Sequence, residues 1–178
     1  VASEGALLES LAATRGIERN GLVFKLLTAL KQITNHPAHY LREQPPSNGE
    51  SAAFTARSAK TAALSELLQA IRQREEAALV FTSYVAMGRL LTTHLSHLGH
   101  DPLFLHGGTS LTERQRMVDA FQAGQHPVMI LSLKAAGTGL TLTRAAHVSH
   151  CGRSWNAAVE DQATDRAHRS GQHQTGTV

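Results

Sequence analysis

The sequence predicts an α/β domain with a mostly parallel sheet and helices on both faces. After Lys60, short apolar runs alternate with amphipathic segments of about a dozen residues, which is the pattern of βαβ units. Polar and glycine-containing segments follow the apolar runs, as expected where parallel strands end. The length of 178 residues suits one ordinary domain with its own core and is too short for two full domains.

The first predicted element is an amphipathic helix over residues 20–35. Apolar side chains recur there at helical spacing, Asn20 is the candidate N-cap, and Pro37 follows the end. Residues 44–58 are rich in proline, serine, glycine and alanine and lack periodicity, which predicts a loop or mobile linker. We therefore divide the chain into an N-terminal helical segment with its linker, residues 1–57, and a main domain, residues 58–178.

The main domain is predicted to alternate strands with helices. The predicted helices cover residues 61–74, 85–98, 112–124 and 157–169, and the predicted strands cover residues 78–83, 102–106, 127–132 and 146–150. Helical crossovers of this length connect strands that run parallel in one sheet. A glycine-rich loop is expected between the third and fourth strands.

Composition limits the possible partners and compartments. The formal net charge is +3 and the pI is near 9.4, so a basic patch for nucleic acid is allowed but not demanded. The single cysteine, Cys151, excludes a disulfide framework. No run approaches the roughly 18 apolar residues of a membrane helix, and the N-terminus lacks the layout of a signal peptide. We expect an intracellular protein with no membrane partner, and a chain that is a piece of something longer.

Three informative segments follow the predicted strands. Ser83 follows the first strand, residues 105–114 follow the second, and residues 131–140 follow the third. Ligands of open α/β sheets bind outside the carboxyl ends of the strands. The placement therefore favours a functional site at this edge of the sheet.

The turn after the second strand combines permissive glycines with hydroxyls. Backbone amides of Gly107 and Gly108 and the hydroxyls of Thr109 and Ser110 are suited to a phosphate group. The alternative is a plain turn with Thr112 as the N-cap of the next helix.

The segment after the third strand offers a similar combination. Gly137 and Gly139 allow a close backbone approach, Ser132 and Thr138 carry hydroxyls, and Lys134 carries a charge. This segment does not fit the phosphate loop GxxxxGK[ST], and the chain contains no such loop. It also lacks an acidic pair placed to hold magnesium, so the chain is not expected to hydrolyse a nucleoside triphosphate by itself.

Metal and hydrolase chemistry are weakly supported. His94, His97 and His100 are spaced by three, but no CxxC or HExxH pattern accompanies them. No nucleophile elbow GxSxG is present either. We predict no metal site.

The last predicted helix carries Gln162, Arg166 and Arg169 at positions i, i+4 and i+7, which lie on one stripe. One interpretation is a solvated face on which Asp165 and Arg169 form an exposed charge pair. The other is a pair of arginine fingers that neutralise charge on a transferring γ-phosphate. Spacing alone does not decide between them.

Taken together, these segments resemble the second RecA-like lobe of the Swi/Snf-type family of superfamily-two, helicase-like DNA translocases. The matching runs are LKQITNHP (30–37), Ser58 with Lys60, LVFTSY (79–84), LHGGTSLTERQRMVDAF (105–121), ILSLKAAGTGLTLTRAAHV (130–148) and WNAAVEDQATDRAHRSGQ (155–172). They occur in the family's order, and DQATDRAHRSGQ is among its most specific motifs.

The resemblance implies a RecA-like, P-loop NTPase-type three-layer α/β/α fold that lacks its own phosphate loop. It also implies a lobe that closes over ATP and Mg²⁺ bound mainly by an N-terminal RecA-like lobe of the same polypeptide. The pair would translocate along double-stranded DNA and remodel a DNA-bound protein target. The fragment alone would be inactive. Its location would be the cytoplasm, with the nucleoid, in a bacterium, or the nucleus in a eukaryote.

The resemblance also assigns roles to residues. The catalytic residues would be Arg166, Arg169 and Gln162. The ATP-binding and coupling residues would be Gly137, Thr138, Gly139 and Asp165. The DNA-binding residues would be Ser83, Gly107, Gly108, Thr109, Ser110, Ser132 and Lys134. Hydroxyls, amides and a few cations contact phosphates without reading bases, which agrees with duplex binding that ignores sequence.

Some positions depart from the family pattern. Gly152, Ser154 and Ala157 replace an acid, an aromatic residue and a proline in the run before the last helix. These departures keep open a catalytically degenerate module that binds DNA or protein. A strand-separating superfamily-two helicase is the further alternative.

Overall fold

A computed structural model describes residues 17–44, 51–137 and 140–152. The described residues form a four-stranded sheet in the order β2-β3-β1-β4, in which every pair of neighbours is parallel. The strands are β1 (Ala78–Thr82), β2 (Leu103–Leu105), β3 (Val128–Ser132) and β4 (His147–Cys151). The predicted α/β fold with a parallel sheet is confirmed, and each strand overlaps its predicted range.

The described residues also form seven helices. They are α1 (Ile17–Asn35), α2 (Pro37–Leu41), α3 (Ser51–Ala56), α4 (Ala59–Gln73), α5 (Val85–His97), α6 (Leu111–Gln122) and α7 (Leu133–Ala136). The predicted helix 20–35 is confirmed as α1, but it already includes Ile17. Asn20 therefore lies inside the helix and is not its cap.

Local sequence explains the start and the buried stripe of α4. The Ser58 hydroxyl accepts a hydrogen bond from the Thr61 amide, which satisfies one donor at the first turn. Leu64, Leu68 and Ile71 are buried at i, i+4 and i+7. The stripe faces the sheet, as expected of an amphipathic helix.

Two apolar clusters fill the two faces of the sheet. On one face, Ala78 and Val80 of β1 pack with side chains of α4 and α5. On the other, Leu79 and Phe81 pack with side chains of α6 and α7. This alternation along β1 creates the three-layer arrangement, and all five residues of the strand are buried.

The prediction of a loop over residues 44–58 is wrong for Ser51–Ala56, which form helix α3. Phe54 is buried, and its ring stacks on His36 with centroids 4.1 Å apart. His36 Nε2 donates to the Phe54 carbonyl at 2.9 Å, while His36 Nδ1 accepts from the Ala38 amide at 3.0 Å. These contacts join α2 to α3, and Ala38 and Phe54 belong to the apolar cluster that packs on the sheet. The division of the chain at residue 58 remains a prediction.

Of the helices in the described ranges, none has the length and apolar character needed to cross a membrane.

Candidate nucleic-acid interface

The residues predicted to bind DNA lie at the carboxyl edge of the sheet. In the register of the sheet, Thr82 lies beside both Ser132 and Cys151, and Leu105 lies beside Leu131. Strands β1, β2 and β3 therefore end together. The segments that follow them carry Ser83, the turn 107–110, Ser132 and Lys134.

Ser83 is exposed between the end of β1 and the start of α5. Its neighbours are fixed by Thr82, whose hydroxyl accepts from the Tyr84 amide and donates to the Tyr84 carbonyl, both at 3.3 Å. Tyr84 is the N-cap residue of α5 but makes no capping bond with its own side chain. The buried Thr82 thus holds the turn in place while Ser83 presents its hydroxyl outward.

The turn after β2 is stabilised by its own hydrogen bonds. His106 Nδ1 accepts from the Gly108 amide at 3.0 Å, and the Thr109 amide donates to the His106 carbonyl at 3.0 Å. The Thr109 hydroxyl accepts from the His106 amide at 3.1 Å. The amides of Gly108 and Thr109 are thus engaged inside the turn, so a phosphate would meet the Gly107 amide and the hydroxyls here.

Ser110, and not Thr112, is the N-cap of α6. Its hydroxyl accepts from the Glu113 amide at 3.2 Å. Ser110 Oγ is the acceptor in this bond, and Thr109 Oγ1 is likewise an acceptor in its own, so each hydroxyl proton can still be donated to a ligand. A hydroxyl donor beside a helix N-terminus suits an anion.

The segment after β3 begins with a short helix where a glycine-rich loop was predicted. Ser132 caps α7 by accepting from the Ala135 amide at 3.4 Å, and its side chain is buried. Lys134 is exposed on the same turn. Gly137 ends α7 with a φ of −58°, so the conformational freedom of glycine is not needed there. Lys134 is therefore the surface charge of this segment, whereas Ser132 fixes its backbone.

The first turn of α6 carries a bidentate ion pair. Arg116 donates to the two carboxylate oxygens of Glu113 at 2.9 and 2.6 Å. The hydrogen bond from Arg116 lowers the pKa of Glu113. The pair offsets the carboxylate charge beside Ser110, which makes this edge less repulsive to a polyanion.

A polar junction that the sequence did not predict lies at the end of β4. Lys60 Nζ donates to Asn35 Oδ1 at 3.3 Å, and the Ser58 hydroxyl donates to the Asn35 carbonyl at 2.6 Å. Gly152 follows β4 with a φ of +87° and lies against the Asn35 carboxamide. The sequence offered two signals for this junction, the run LKQITNHP, which contains Asn35, and the pair Ser58 and Lys60. Nothing in the sequence showed that these two segments are in contact.

Of the residues predicted for ATP binding and coupling, Gly137 lies within the described part of the chain. The catalytic set Gln162, Arg166 and Arg169 lies outside the described residues, as do Asp165, Thr138 and Gly139.

Of the histidines weighed as metal ligands, His94 has other partners. His94 is buried, and its Nε2 lies 3.2 Å from the Thr55 hydroxyl and 3.1 Å from the Ser65 hydroxyl. Burial lowers the pKa of His94 to about 4, so its ring is neutral near pH 7. Within residues 17–44, 51–137 and 140–152, no three His, Cys, Asp or Glu side chains converge on a possible metal site.

A parallel α/β sheet with phosphate-suited side chains at its carboxyl edge is typical of open α/β domains that bind phosphate-bearing ligands. The sequence-family model of the helicase conserved C-terminal domain matches residues 59–171, and the chain belongs to this family. More particularly, it is a helicase C-terminal domain of the SWI2/SNF2 type. The resemblance found in the motifs is confirmed.

Individual relatives support this assignment. A candidate ATP-dependent helicase/translocase, YwqA of Bacillus subtilis, is 44% identical over 165 residues, which are 92% of this chain and 17% of YwqA. The chromatin-remodeling ATPase INO80 of Debaryomyces hansenii is 34% identical over 126 residues, covering 70% of this chain and 9% of INO80. The chain thus spans less than a fifth of the length of either relative.

A solved structure gives the same result for the fold. The SWI2/SNF2 ATPase core of Sulfolobus solfataricus, solved in complex with double-stranded DNA, aligns with a TM-score of 0.79 and 32% identity. The alignment covers 98% of this chain and 35% of that core. The RecA-like fold is therefore confirmed.

Proposed function

We propose that the chain is the C-terminal motor lobe of an ATP-dependent double-stranded-DNA translocase that remodels protein–DNA complexes. The main support is the likeness, over 98% of the chain, to an ATPase core whose solved structure contains double-stranded DNA. The convergence of Ser83, Thr109, Ser110 and Lys134 on one edge adds to it, because hydroxyls and a lysine suit a phosphate backbone.

In this proposal the lobe supplies half of the DNA-binding site and half of the ATP-hydrolysis site. Lys134 and the hydroxyls at the carboxyl edge hold the DNA backbone. Arg166 and Arg169 act as arginine fingers on ATP presented with Mg²⁺ by the N-terminal lobe, and Gln162 assists them. Bound ATP supplies the γ-phosphoryl group, whose growing negative charge the guanidinium groups offset. The lobe alone holds neither ATP nor DNA productively.

The experiment is steady-state ATP hydrolysis by the full-length protein with and without duplex DNA. We expect Arg169→Ala and Arg166→Ala each to lower kcat by about 10³-fold or more, with little change in KM for ATP, since a finger acts mainly in the transition state. Arg74→Ala, an exposed arginine at the end of α4, is the matched control and should leave kcat unchanged. Normal turnover in both finger variants would refute the assignment.

The degenerate binding module is the second candidate, and Gly152 is the observation that favours it. The Asn35 carboxamide now lies where the side chain of the family's acidic residue would begin. This candidate predicts duplex binding by the full-length protein without DNA-stimulated ATP hydrolysis. Stimulated hydrolysis would exclude it, and separation of a forked duplex in the same assay would favour the strand-separating helicase.

A further inference from the structure

A cleft lies on the helical face of the lobe, between α3, α4 and the end of α5. Its volume is about 540 Å³, within the range of ligand-binding clefts. Its polar lining residues are Thr55, Ser65, Glu66, Gln69, Arg72 and His100. Since Arg72 precedes β1 and His100 precedes β2, this end of the cleft lies at the amino-terminal edge of the sheet, opposite the DNA-binding edge.

One wall of the cleft is a straight stripe of α4. Ala62, Ser65, Gln69 and Arg72 recur at helical spacing and all line it. Ala62 and Arg72 are ten positions apart, which is about 15 Å at the rise of an α-helix. A cleft of that length matches four or five residues of extended chain at about 3.3 Å each.

The floor of the cleft is fixed. The Ser65 hydroxyl donates to the Thr61 carbonyl at 2.8 Å and lies 3.1 Å from His94 Nε2. Thr55 approaches the same nitrogen at 3.2 Å. These bonds tie α3, α4 and α5 together, so the cleft is held open by a polar network between its three walls.

One end of the cleft is positively charged. Arg72 Nη1 donates to the Gly99 carbonyl at 2.9 Å, which holds a guanidinium group at the rim. His100 lines the same end and is only 4% exposed, and its Nδ1 has no hydrogen-bond partner in the described structure. The guanidinium group at this end suits a carboxylate, because it retains further N–H donors beside the one given to Gly99.

The middle of the cleft carries the opposite charge. Glu66 precedes Arg72 by six residues, or about 9 Å along the helix. Between them Gln69 offers an amide that can both donate to and accept from a backbone. Ala56 of α3 and Leu98, the C-cap residue of α5, supply apolar contacts on the facing walls.

We propose that this cleft binds an extended segment of a partner protein, with an acidic side chain at the Arg72 and His100 end and a basic side chain at Glu66. The charge pattern and the length of the wall favour a peptide over a small anion, which Glu66 would repel. Backbone groups of the peptide would bond to Gln69 and the hydroxyls. The proposal does not rest on the motor function, since the cleft lies away from the carboxyl edge.

The probe is a phage-displayed library of random heptapeptides, selected on the full-length protein and counter-selected on the double variant Glu66→Gln/Arg72→Gln. We expect enrichment of peptides that carry an acidic and a basic residue two or three positions apart. An enriched peptide, labelled with a fluorophore, is then titrated with full-length protein in an anisotropy assay. The circular-dichroism spectrum and thermal midpoint of each variant check that the protein is folded.

Arg72→Gln and Glu66→Gln should each weaken peptide binding by about threefold to fivefold, the size expected for exposed charge pairs. Ala56→Trp should abolish binding by filling the cleft. The neighbouring exposed residues provide matched controls, because Arg74→Gln and Glu75→Gln should bind the peptide like wild type.

Failure to enrich any peptide would overturn the proposal. So would equal binding of the enriched peptide to wild type, Arg72→Gln and Ala56→Trp. Displacement of the peptide by free glutamate at equal concentration would assign the cleft to a small carboxylate instead. None of these results depends on ATP hydrolysis, so they are distinguishable from failure of the motor proposal.

Discussion

Asn35 and Gly152 meet where the end of α1 lies against the end of β4. A Cβ added at Gly152 would overlap the Asn35 carboxamide, and the glycine has a φ of +87°. Both features disfavour a larger residue at position 152. The contact also brings Lys60, which donates to Asn35, to the point where the chain leaves the sheet toward residues 153–178.

The first prediction concerns this contact. Gly152→Ala should destabilise the end of β4 by about 2 kcal/mol or more, because it combines an unfavourable φ with steric overlap. Hydrogen–deuterium exchange of the full-length protein measures this in peptides that span β4. Gly107→Ala is the control, since a Cβ there meets nothing within 4 Å. Adding Asn35→Ala should recover part of the loss, and strictly additive effects would contradict the overlap.

The second prediction concerns Lys134 at the carboxyl edge. If it contacts one DNA phosphate, Lys134→Gln should weaken duplex binding equally for all sequences. It should also reduce the slope of log affinity against log salt by about 1. Anisotropy titrations of full-length protein at several salt concentrations measure both quantities.

Lys25→Gln provides the comparison for Lys134→Gln, because Lys25 is exposed on α1 and belongs to no predicted DNA contact. An unchanged salt slope in Lys134→Gln would remove Lys134 from the DNA interface. A similar change in both variants would indicate a general charge effect.

The third prediction concerns pH. His94 is buried and neutral, and its pKa of about 4 is below the usual 6.5. The unfolded chain therefore binds more protons between these values, and stability that is present above pH 6.5 is lost as the pH falls toward 4. The shift corresponds to a loss on the order of 3 kcal/mol. Burial lowers the pKa of His36, His39 and His100 as well, so their contributions have the same sign.

Urea unfolding of the full-length protein at pH 7.5, 6 and 5 tests whether the free energy of unfolding falls with pH. Hydrogen–deuterium exchange of peptides from α5 reports the unfolding of this region. His94→Gln should lower stability at pH 7.5 but flatten the pH dependence. His97→Gln, an exposed neighbour on the same helix, should follow wild type. Stability that is constant from pH 7.5 to 5 in wild type would contradict the prediction.

Sequence reasoning located the elements whose periodicity is strong. The buried run of β1 and the stripe Leu64, Leu68 and Ile71 of α4 are apolar at the right spacing, so each could be assigned without its neighbours. The carboxyl edge followed from the alternation of strands and helices, which orients all strands alike. The relative positions of Ser83, the turn 107–110 and Lys134 were predicted in this way.

Short elements stabilised by tertiary contacts could not be predicted. Helix α3 has six residues, and it is anchored by the stacking of Phe54 on His36, 18 residues earlier. Helix α7 has four residues and depends on the Ser132 cap. Isolated helices of this length are unstable, so their composition resembled that of loops. The roles of Arg166 and Arg169 remain predictions, because they depend on a nucleotide held by another lobe.

The last prediction concerns a clasp between α6 and the segment that leads into β4. Arg144 Nη1 donates to the Phe121 carbonyl at 3.2 Å and to the His126 carbonyl at 3.0 Å. Gln122 Oε1 accepts from the Arg144 amide at 3.1 Å, and Gln122 Nε2 donates to the Thr143 hydroxyl at 3.2 Å. Helix α6 begins at the proposed DNA contacts, and this segment follows the proposed coupling loop. The clasp thus connects the two regions.

Arg144→Ala should lower the free energy of opening, measured by hydrogen–deuterium exchange in α6 and β4, by about 1.5–3 kcal/mol. This is the cost of losing charged hydrogen bonds to carbonyls that are partly buried. Arg144→Lys should recover only part of this, because an ammonium group cannot reproduce the guanidinium fork. Because Gln122 and Arg144 share one network, the double variant Gln122→Ala/Arg144→Ala should lose less than the sum of the single variants. Additivity within about 0.3 kcal/mol would show that the two residues act independently and that no clasp exists.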